Sequence, residues 1–335
     1  MPCTVTVGGF FGDEGKGKVI AYLAKNDNIS IAVRGGVGPN AGHTFVYGGK
    51  THKVRMLPSA VLNLPTKLLI GAGVVIDTEI LLDEVKTFAA YNRTLVDRQC
   101  GIIEKAHIEK DQGTYLKNRI GTTGSGTGPA NADRALRTLR LAKDVHDLSQ
   151  YIEDVSNSIN HALDKNESIL VEGTQGTFLS LFHGIYPYVT SRDVCASSIC
   201  SDVGIGPKRV EEVLVIFKAY VTRVGEGPLD NEVNKEEVGR LGWAEFGSVT
   251  GRQRRASPFD MQLAKKAISL NSATQLAVTK LDVLFPESAG VRKFEKLPTE
   301  SKKFIENIEA ETGLKVSLVG TGADVDDIID RRAMK

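Results

Sequence analysis

Short β-branched runs alternate along this chain with stretches whose apolar residues recur every three or four positions. Thr4 to Gly8 (TVTVG) is the first such run, and Lys16 to Lys25 (KGKVIAYLAK) follows it with apolar residues at helical spacing. Continuous apolar runs predict further strands at Ile29 to Arg34, Lys67 to Ile76, Ser168 to Glu172, Val213 to Val221, Gln275 to Thr279 and Val316 to Val319. Runs without polar alternation suit a parallel sheet buried on both faces. Amphipathic patterns between them predict helices over Thr78 to Tyr91, Asn131 to Lys143, Val145 to Leu163, Asp260 to Leu270 and Thr299 to Thr312. The predicted class is α/β, a mostly parallel central sheet flanked by helices. No internal repeat, low-complexity tract or Pro/Ser-rich linker divides the chain, so residues 1–335 are expected to form a single large domain.

Composition narrows the function. The chain has 335 residues, 41% hydrophobic and 25% charged, which is ordinary for a globular protein with a large core. Lys and Arg (42) nearly cancel Asp and Glu (41), so no basic surplus drives binding to nucleic acid or to an anionic membrane, and any phosphate site must be local. The longest apolar run, Lys67 to Ile76, is far short of the ~20 residues that span a bilayer. The N-terminus MPCTVTVGGF lacks the pattern of a secretory signal, and a cytoplasmic location is expected. Cys3, Cys100, Cys195 and Cys200 are too scattered for a disulfide framework and lack zinc-like spacing, so they read as buried thiols.

Chemistry concentrates in a few loops. Gly12 to Lys18 (GDEGKGK) satisfies the Gly-x-x-x-x-Gly-Lys half of the P-loop pattern, in which backbone N–H groups and a helix N-terminus approach phosphate oxygens. Val19 stands where a Ser or Thr hydroxyl would ligate magnesium, and Asp13 is the obvious substitute ligand. Thr279 to Asp282 (TKLD) follows an apolar run, at a strand's C-terminal end, and resembles the guanine signature of GTPases. An aspartate there accepts from guanine N1 and the N2 amine, which adenine cannot offer. There is no Asp-x-x-Gly in the chain, so GTP is consumed in chemistry rather than used as a timer. His43 lies in a loop with four glycines, Gly35 to Thr44 (GGVGPNAGHT), where it can serve a ligand as acid, base or hydrogen-bond donor. Gly121 to Gly128 (GTTGSGTG), with Arg134 and Arg137 following, suits a phosphate clamp, and Arg252, Arg254 and Arg255 repel one another unless they face anions. Taken singly, each also fits a blander role: a turn, a satisfied histidine, a surface ion pair, a solvated charge run. Together they imply two phosphorylated ligands in one site, one of them GTP.

In order along residues 12–322, the strings GDEGKGK, NAGHT, IGTTGSGTGPA, VEGTQGT with YPYVTS, TRVGEGP, TGRQRR, TKLD and GTG resemble those of the adenylosuccinate synthetase family, in the compact form typical of archaea. The resemblance implies a ligase that makes adenylosuccinate, GDP and phosphate from IMP, L-aspartate and GTP in two steps, with one magnesium ion per subunit. It implies that Asp13 takes the proton from N1 of the hypoxanthine so that O6 attacks the γ-phosphate, and that His43 assists at the phosphate as acid or hydrogen-bond donor. GTP would meet Gly12, Asp13, Glu14, Gly15, Lys16, Gly17, Lys18, Gly42, His43, Thr44, Arg254, Lys280, Leu281, Asp282, Gly320, Thr321 and Gly322. IMP would meet Asp13, Glu14, Gly15, Lys16, Asn40, Ala41, Gly42, His43, Thr123, Gln175, Thr190, Val224 and Arg252. Arg137 matches a residue that the family lends to the neighbouring subunit's IMP site, implying a homodimer. L-Aspartate would meet Ser248, Val249, Thr250, Gly251, Arg252, Gln253 and Arg254, and magnesium would be held by Asp13 and the Gly42 carbonyl.

Three departures touch contact loops. Phe10-Phe11 stands where Gln-Trp is usual, Ala256-Ser257-Pro258 where a Gly-Trp pair follows the arginines, and Leu229-Asp230-Asn231 where Phe-Pro-Thr is usual. Two alternatives compete: the branch that joins aspartate to dGMP as a 2-aminoadenylosuccinate synthase, which loses the loop carboxylate that Asp13 supplies here, and a non-catalytic GTP-binding regulator.

Overall fold

In a computed structural model, residues 2–113, 116, 120–247 and 251–333 are described. Among these, ten strands form one sheet in the spatial order Ile328–Asp330, Val316–Gly320, Gln275–Thr279, Glu212–Lys218, Cys3–Gly8, Ile169–Glu172, Ile31–Arg34, Lys67–Ile70, Thr94–Asp97 and Ile152–Glu153. Every pairing is parallel except that of Ile328–Asp330 with Val316–Gly320. The α/β class read from the apolar runs is the observed one.

The sheet is covered on both faces, so most of its central strands are continuous apolar runs, and where Cys3–Gly8 alternates with Thr4 and Thr6 both threonines are buried as well. Side chains on a strand point to opposite faces in turn. Val213, Val215 and Phe217 accordingly enter one core, with Ile199, Ala264, Ile305 and Ile308 from covering helices. Leu214 and Ile216 enter the other, with Val19, Ile20 and Leu23 of the Lys16–Asn26 helix and Leu81 and Val85 of the Thr78–Thr87 helix. Among the described residues, no helix is long and apolar enough to cross a membrane.

Four expected elements differ. The Lys67 to Ile76 run stops at Ile70, because the chain turns through Gly71 and Gly73, where an added Cβ would meet Asp202 or Val203 within 2.8 Å. Val75–Ile76 then pairs with Gly101–Ile102 outside the main sheet. The Val213 to Val221 run breaks at Ala219, whose N–H donates to the Thr279 carbonyl (2.9 Å), and Tyr220–Arg223 turns to pair with Arg255–Pro258. The helix expected over Asn131 to Lys143 spans Thr127–Leu136 and ends at Arg137, which adopts φ +66°. The helix expected over Val145 to Leu163 is a 3₁₀ turn, the edge strand Ile152–Glu153, and a helix Val155–Asp164 capped by Asp154. Periodicity gave no warning of these breaks, nor of the His43–Tyr47/Lys50–Val54 hairpin and the Thr94–Asp97 strand.

The middle of the sheet ends in unusual residues. The last positions of its parallel strands are Gly8, Arg34, Glu172, Lys218, Thr279 and Gly320. Three of these are charged and at most 1% exposed, Arg34, Glu172 and Lys218. Such groups are tolerated only when paired, and the carboxyl edge is where open α/β sheets bind ligands. Just beyond it, Gly36 has φ +94°, its N–H donates to Asp202 (2.8 Å), and an added Cβ would lie 2.0 Å from Thr174 Oγ1. Gly36→Ala is expected to lower stability by about 2–4 kcal/mol through backbone strain plus overpacking, read from the urea midpoint.

Candidate active site

The phosphate loop is built by its own side chains. Gly12, Asp13 and Gly15 all take positive φ (89°, 62°, 82°), and Gly15 caps the Lys16–Asn26 helix without any side-chain bond to its free N–H groups. No acidic residue occupies that first turn, so the helix N-terminus presents its N–H dipoles to an anion. Glu14 is fully buried: it accepts from the N–H groups of Phe10 (3.0 Å) and Gly12 (2.7 Å) and pairs with Lys16 (2.8 Å). Its carboxylate therefore folds the loop, and only its backbone is left for the ligand contacts expected of it. Thr279 Oγ1 donates to the Glu14 carbonyl (2.7 Å), seating the loop on the strand that carries TKLD.

Lys18 reaches across to the C-terminal loop, donating to the carbonyls of Gly322 (2.6 Å) and Asp327 (2.8 Å). Burial pushes its pKa down to about 8. Gly320, Thr321 and Gly322 are thus brought to the phosphate loop. The Thr321 hydroxyl turns inward to Val291 (2.7 Å) and Leu281 is fully buried, which leaves both with only backbone for a ligand. Asp282, beside Leu281, has a buried Oδ1 with no hydrogen-bond partner, and burial raises its pKa.

His43 opens the hairpin beneath this helix. An added Cβ on Gly17 would lie 2.9 Å from His43 Cβ and 3.4 Å from the Thr44 nitrogen, so glycine is what allows the helix to approach. Burial and then the Arg34 charge push the His43 pKa down to about 4, so the ring is neutral at pH 7. Its Nδ1 contacts Glu172, which also takes Arg34 (2.7 Å), the Ser59 hydroxyl (2.7 Å) and the Ser59 N–H (2.7 Å). Burial alone would raise the Glu172 pKa, but His43 and Arg34 outweigh it and hold it down near 2.

The arginine loop divides its labour. Arg252 donates to the carbonyls of Gly121 (2.5 Å) and Thr122 (3.3 Å), tying the second glycine-rich loop to the first arginine. Arg254 packs between Asp13, with Nε 2.9 Å from Oδ2, and Glu245. Its Nε nonetheless lacks the alignment of a hydrogen bond. Arg255 pairs with Glu232 outside the site, and Arg134 donates to the carbonyls of Ala72 and Gln99 (both 2.9 Å), so these two are structural rather than phosphate-binding. Glu245 also holds Lys218 (2.9 Å), Tyr220 and, at 3.6 Å, Lys280. Ser248, Val249 and Thr250 lie outside the described residues, but Gly251 and Gln253 are held against the segment before them: the Gly251 N–H donates to the Gly247 carbonyl (2.9 Å) and Gln253 forms an isolated bridge with Phe246.

The remaining positions gather near the loop or face away. Lys16 donates to the Gln175 carbonyl, and Asn40 meets Thr190 at 3.4 Å. Ala41 is buried and its carbonyl accepts from Arg34 (3.0 Å); Thr123 pairs with Ser125 (2.7 Å), Val224 is half-buried, and Arg137 is exposed. Seven buried side-chain N or O atoms of the described residues lack a partner, and four of them belong to Asn40, Gln175, Arg254 and Asp282. Buried polar atoms are normally satisfied, so orphans concentrated at one edge of the sheet mark a ligand site. Most of the departures noted in the sequence are interior: Phe10 (1% exposed) packs on Phe217 and Phe259, Phe11 (4%) under Arg223, and Leu229, Ala256 and Ser257 are buried, while Asp230, Asn231 and Pro258 are exposed.

Against known proteins, the adenylosuccinate synthetase family model matches residues 5–147 and 138–287. The chain belongs to the adenylosuccinate synthetase family. The adenylosuccinate synthetases of Methanococcus maripaludis strain C6 and Methanocaldococcus jannaschii are each 51% identical over 336 residues, covering 99% of this chain and 100% and 97% of theirs. The adenylosuccinate synthetase of Plasmodium falciparum, solved fully ligated, has the same fold (TM-score 0.93, 24% identity, 99% and 100% covered). The cyanophage S-2L succinoaminodeoxyadenylate synthetase, solved with dGMP and with dATP as energy donor, is also similar (TM-score 0.81, 27% identity, 98% and 95% covered).

As a member of the adenylosuccinate synthetase family, the enzyme is a C–N ligase of purine nucleotide synthesis. It joins L-aspartate to IMP at the expense of GTP, through 6-phosphoryl-IMP, in the first committed step from IMP to AMP. The sequence motifs singled out Gly12 to Lys18, TKLD and His43 as candidates. They missed Glu172, Arg34, Ser59, Glu245 and Lys218, although Glu172 stands inside the string VEGTQGT, because an isolated acid gives no sign that it is buried.

Proposed function

We propose that Asp13 is the general base and that His43 acts at the phosphate as acid or hydrogen-bond donor. GTP lies along Gly12 to Lys18 with its γ-phosphate toward Gly42, His43 and Thr44, and with guanine between Lys280 and Asp282. IMP rests on the loop side of Asp13 to Lys16, with Asn40, Gln175, Thr190, Thr123, Val224 and Arg252 around it. L-Aspartate is taken by residues 248–254. The observation that carries this reading is the set of orphaned atoms of Asn40, Gln175, Arg254 and Asp282, which ring the phosphate loop and await partners.

The chemistry follows from placement. Taking the N1 proton makes O6 a nucleophile, and phosphorylating O6 makes it a good leaving group for the aspartate amine. Asp13 precedes the helix N-terminus and lies against Arg254, with Nε 2.9 Å from Oδ2. Substrate carboxylates compete for Arg254 and free Asp13 to act. The donor set of the Asp13 carboxylate and the Gly42 carbonyl is all oxygen, and the Arg254 guanidinium already stands against Asp13 as a cation, so the position fits one magnesium ion per subunit. When bound, magnesium offsets charge on the transferred phosphoryl group.

The enzyme is further proposed to be a cytoplasmic homodimer of single-domain subunits in which Arg137 serves the neighbouring site. Supporting this, Arg137 is exposed at a helix end beside Leu136 (71% exposed). The same helix is tied through Asn131 and Ser191 (3.1 Å) to the segment carrying exposed Phe182 and Tyr186. Mixing inactive Asp13→Asn and Arg137→Leu proteins is expected to restore activity, because hybrids regain one whole site; no recovery would refute the shared site.

The test of the reaction offers IMP or dGMP to the purified protein with magnesium, GTP and aspartate, and follows GDP and the succinyl nucleotide. Product from IMP alone is expected. Product from dGMP alone would refute the substrate assignment, and GTP hydrolysis without either nucleotide would point to a regulator.

A further inference from the structure

We infer that Glu172 is a positioning residue for the reaction, fixing His43 so that Nε2 is the ring nitrogen offered to the phosphate. This rests on the proposed role of His43. Glu172 ends a central strand and is fully buried, and Arg34 ends the adjacent strand at 1% exposure. Their ion pair (2.7 Å) spans the two strand ends, and the His43 ring lies against it.

Hydrogen-bond accounting decides what Nδ1 carries. Glu172 Oε1 is approached by Arg34 Nη1, Ser59 Oγ and His43 Nδ1, while Oε2 takes the Ser59 N–H. A carboxylate only accepts, so a bare Nδ1 lone pair against Oε1 would repel it. Arg34 Nη1 also lies 2.7 Å from Nδ1, and in the competing arrangement it would donate there, leaving the proton on Nε2. The two Nη2 hydrogens of Arg34 go to the Ala41 (3.0 Å) and Arg55 (3.3 Å) carbonyls; Oε1 and Nδ1 both lie 2.7 Å from Nη1 and touch each other, so they subtend far less than the roughly 120° between the two Nη1 hydrogens, and the hydrogen given to Oε1 leaves the second directed away from Nδ1. Glu172 therefore takes the Nδ1 proton; Nε2 is bare in the neutral, unliganded ring and becomes the donor when it takes up a proton, which an anionic phosphate set opposite Glu172 favours, and it does so without the ring turning. The arrangement matches the orienting carboxylate of a catalytic triad, where the acid holds the imidazole in one tautomer and never touches substrate.

Two experiments test this. In wild-type protein labelled with ¹⁵N-histidine, and with His43 assigned by difference from His43→Asn, the neutral ring is expected to carry its proton on Nδ1. A proton on Nε2 would overturn the inference whatever the activity, and this measurement needs no altered Glu172. In the second, Glu172→Gln turns an amide N–H toward Nδ1 and forces the opposite tautomer. Turnover is expected to fall on the order of 10²-fold or more with KM for GTP and IMP nearly unchanged, and Glu172→Asp is expected to recover part of it. Because Glu172 acts through His43, Glu172→Gln should cost no further rate in a His43→Asn background. An equal loss in both backgrounds would mean that Glu172 only holds the fold. Wild-type turnover beside an unimpaired Glu172→Gln enzyme would refute this inference and leave the assigned reaction standing.

Discussion

Asp13→Asn is expected to abolish adenylosuccinate formation while GTP binding stays measurable. Asparagine keeps the shape of the side chain and, like aspartate, tolerates the left-handed backbone at φ +62°, so the loop should keep its form. What disappears is the proton acceptor. A positioned general base contributes roughly 10²–10⁴-fold, and the same change removes the charge of the carboxylate proposed to hold magnesium, so the combined loss should exceed that of the base alone. GTP retains the helix N-terminus, the glycine N–H groups and Asp282, none of which depends on the Asp13 charge. Arg254 keeps Glu245 as its partner. Product analysis at saturating substrates, beside calorimetric titration with GTP, reads both halves. Full activity in Asp13→Asn or Asp13→Ala would sink the base assignment.

The second large effect is expected at Asp282, where Asp282→Asn should raise KM for GTP on the order of 10²-fold and admit XTP. Guanine offers N1–H and the N2 amine to a carboxylate, and hydrogen bonds to a charged acceptor are each worth about 1.5–3 kcal/mol. An asparagine replaces one acceptor by an N–H₂ donor, which confronts the guanine amine but suits the carbonyl that xanthine carries at that carbon. A polar pocket built for one pattern rejects the other strongly. The fold should not suffer. Asp282 Oδ1 is buried without a partner, and burial raises the carboxyl pKa. A raised folded-state pKa means the folded protein holds this proton more tightly than the unfolded chain, so the ionised group costs stability as pH rises above its ordinary range. Asp282→Asn should remove that cost, leaving the melting temperature at pH 8 equal or higher while GTP saturation weakens. Unchanged GTP and XTP kinetics would remove Asp282 from base recognition.

The two substitutions separate the site's tasks: one should silence chemistry with binding kept, the other should shift binding with turnover at saturation kept. Arg254 stands between them. It contacts Asp13 and Glu245, and Glu245 in turn reaches Lys280 next to the base reader. Arg254 thus joins the phosphate loop to Glu245, whose carboxylate also reaches the TKLD segment.

Local physics settled a definite part of this protein. Buried parallel strands must be apolar on both faces, so Cys3–Gly8, Ile169–Glu172, Glu212–Lys218 and Gln275–Thr279 announce themselves as uninterrupted runs. Glycines at positive φ and a lysine-bearing helix start are equally local, which is why Gly12 to Lys18 was readable as a phosphate loop, and TKLD after a strand as a base reader. Where runs end is not local. The Glu212–Lys218 strand makes its last ladder bond from the Ala219 N–H to the Thr279 carbonyl and ends where Tyr220–Arg223 turns to pair with Arg255–Pro258, and Gly71 ends another because Val203 packs against it. The fate of each charge is likewise tertiary. Glu14 and Asp13 are neighbours of the same type, yet one is sealed inside the loop and the other faces Arg254. Glu172 and Glu245 gain their roles only when residues more than a hundred positions away (Arg34, His43) or across the arginine loop (Arg254) arrive at the sheet edge. Burial and pairing energy belong to the assembled edge of the sheet, so sequence alone determined which loops are candidates for chemistry, and tertiary structure decided which of their charges are sealed inside and which stay open.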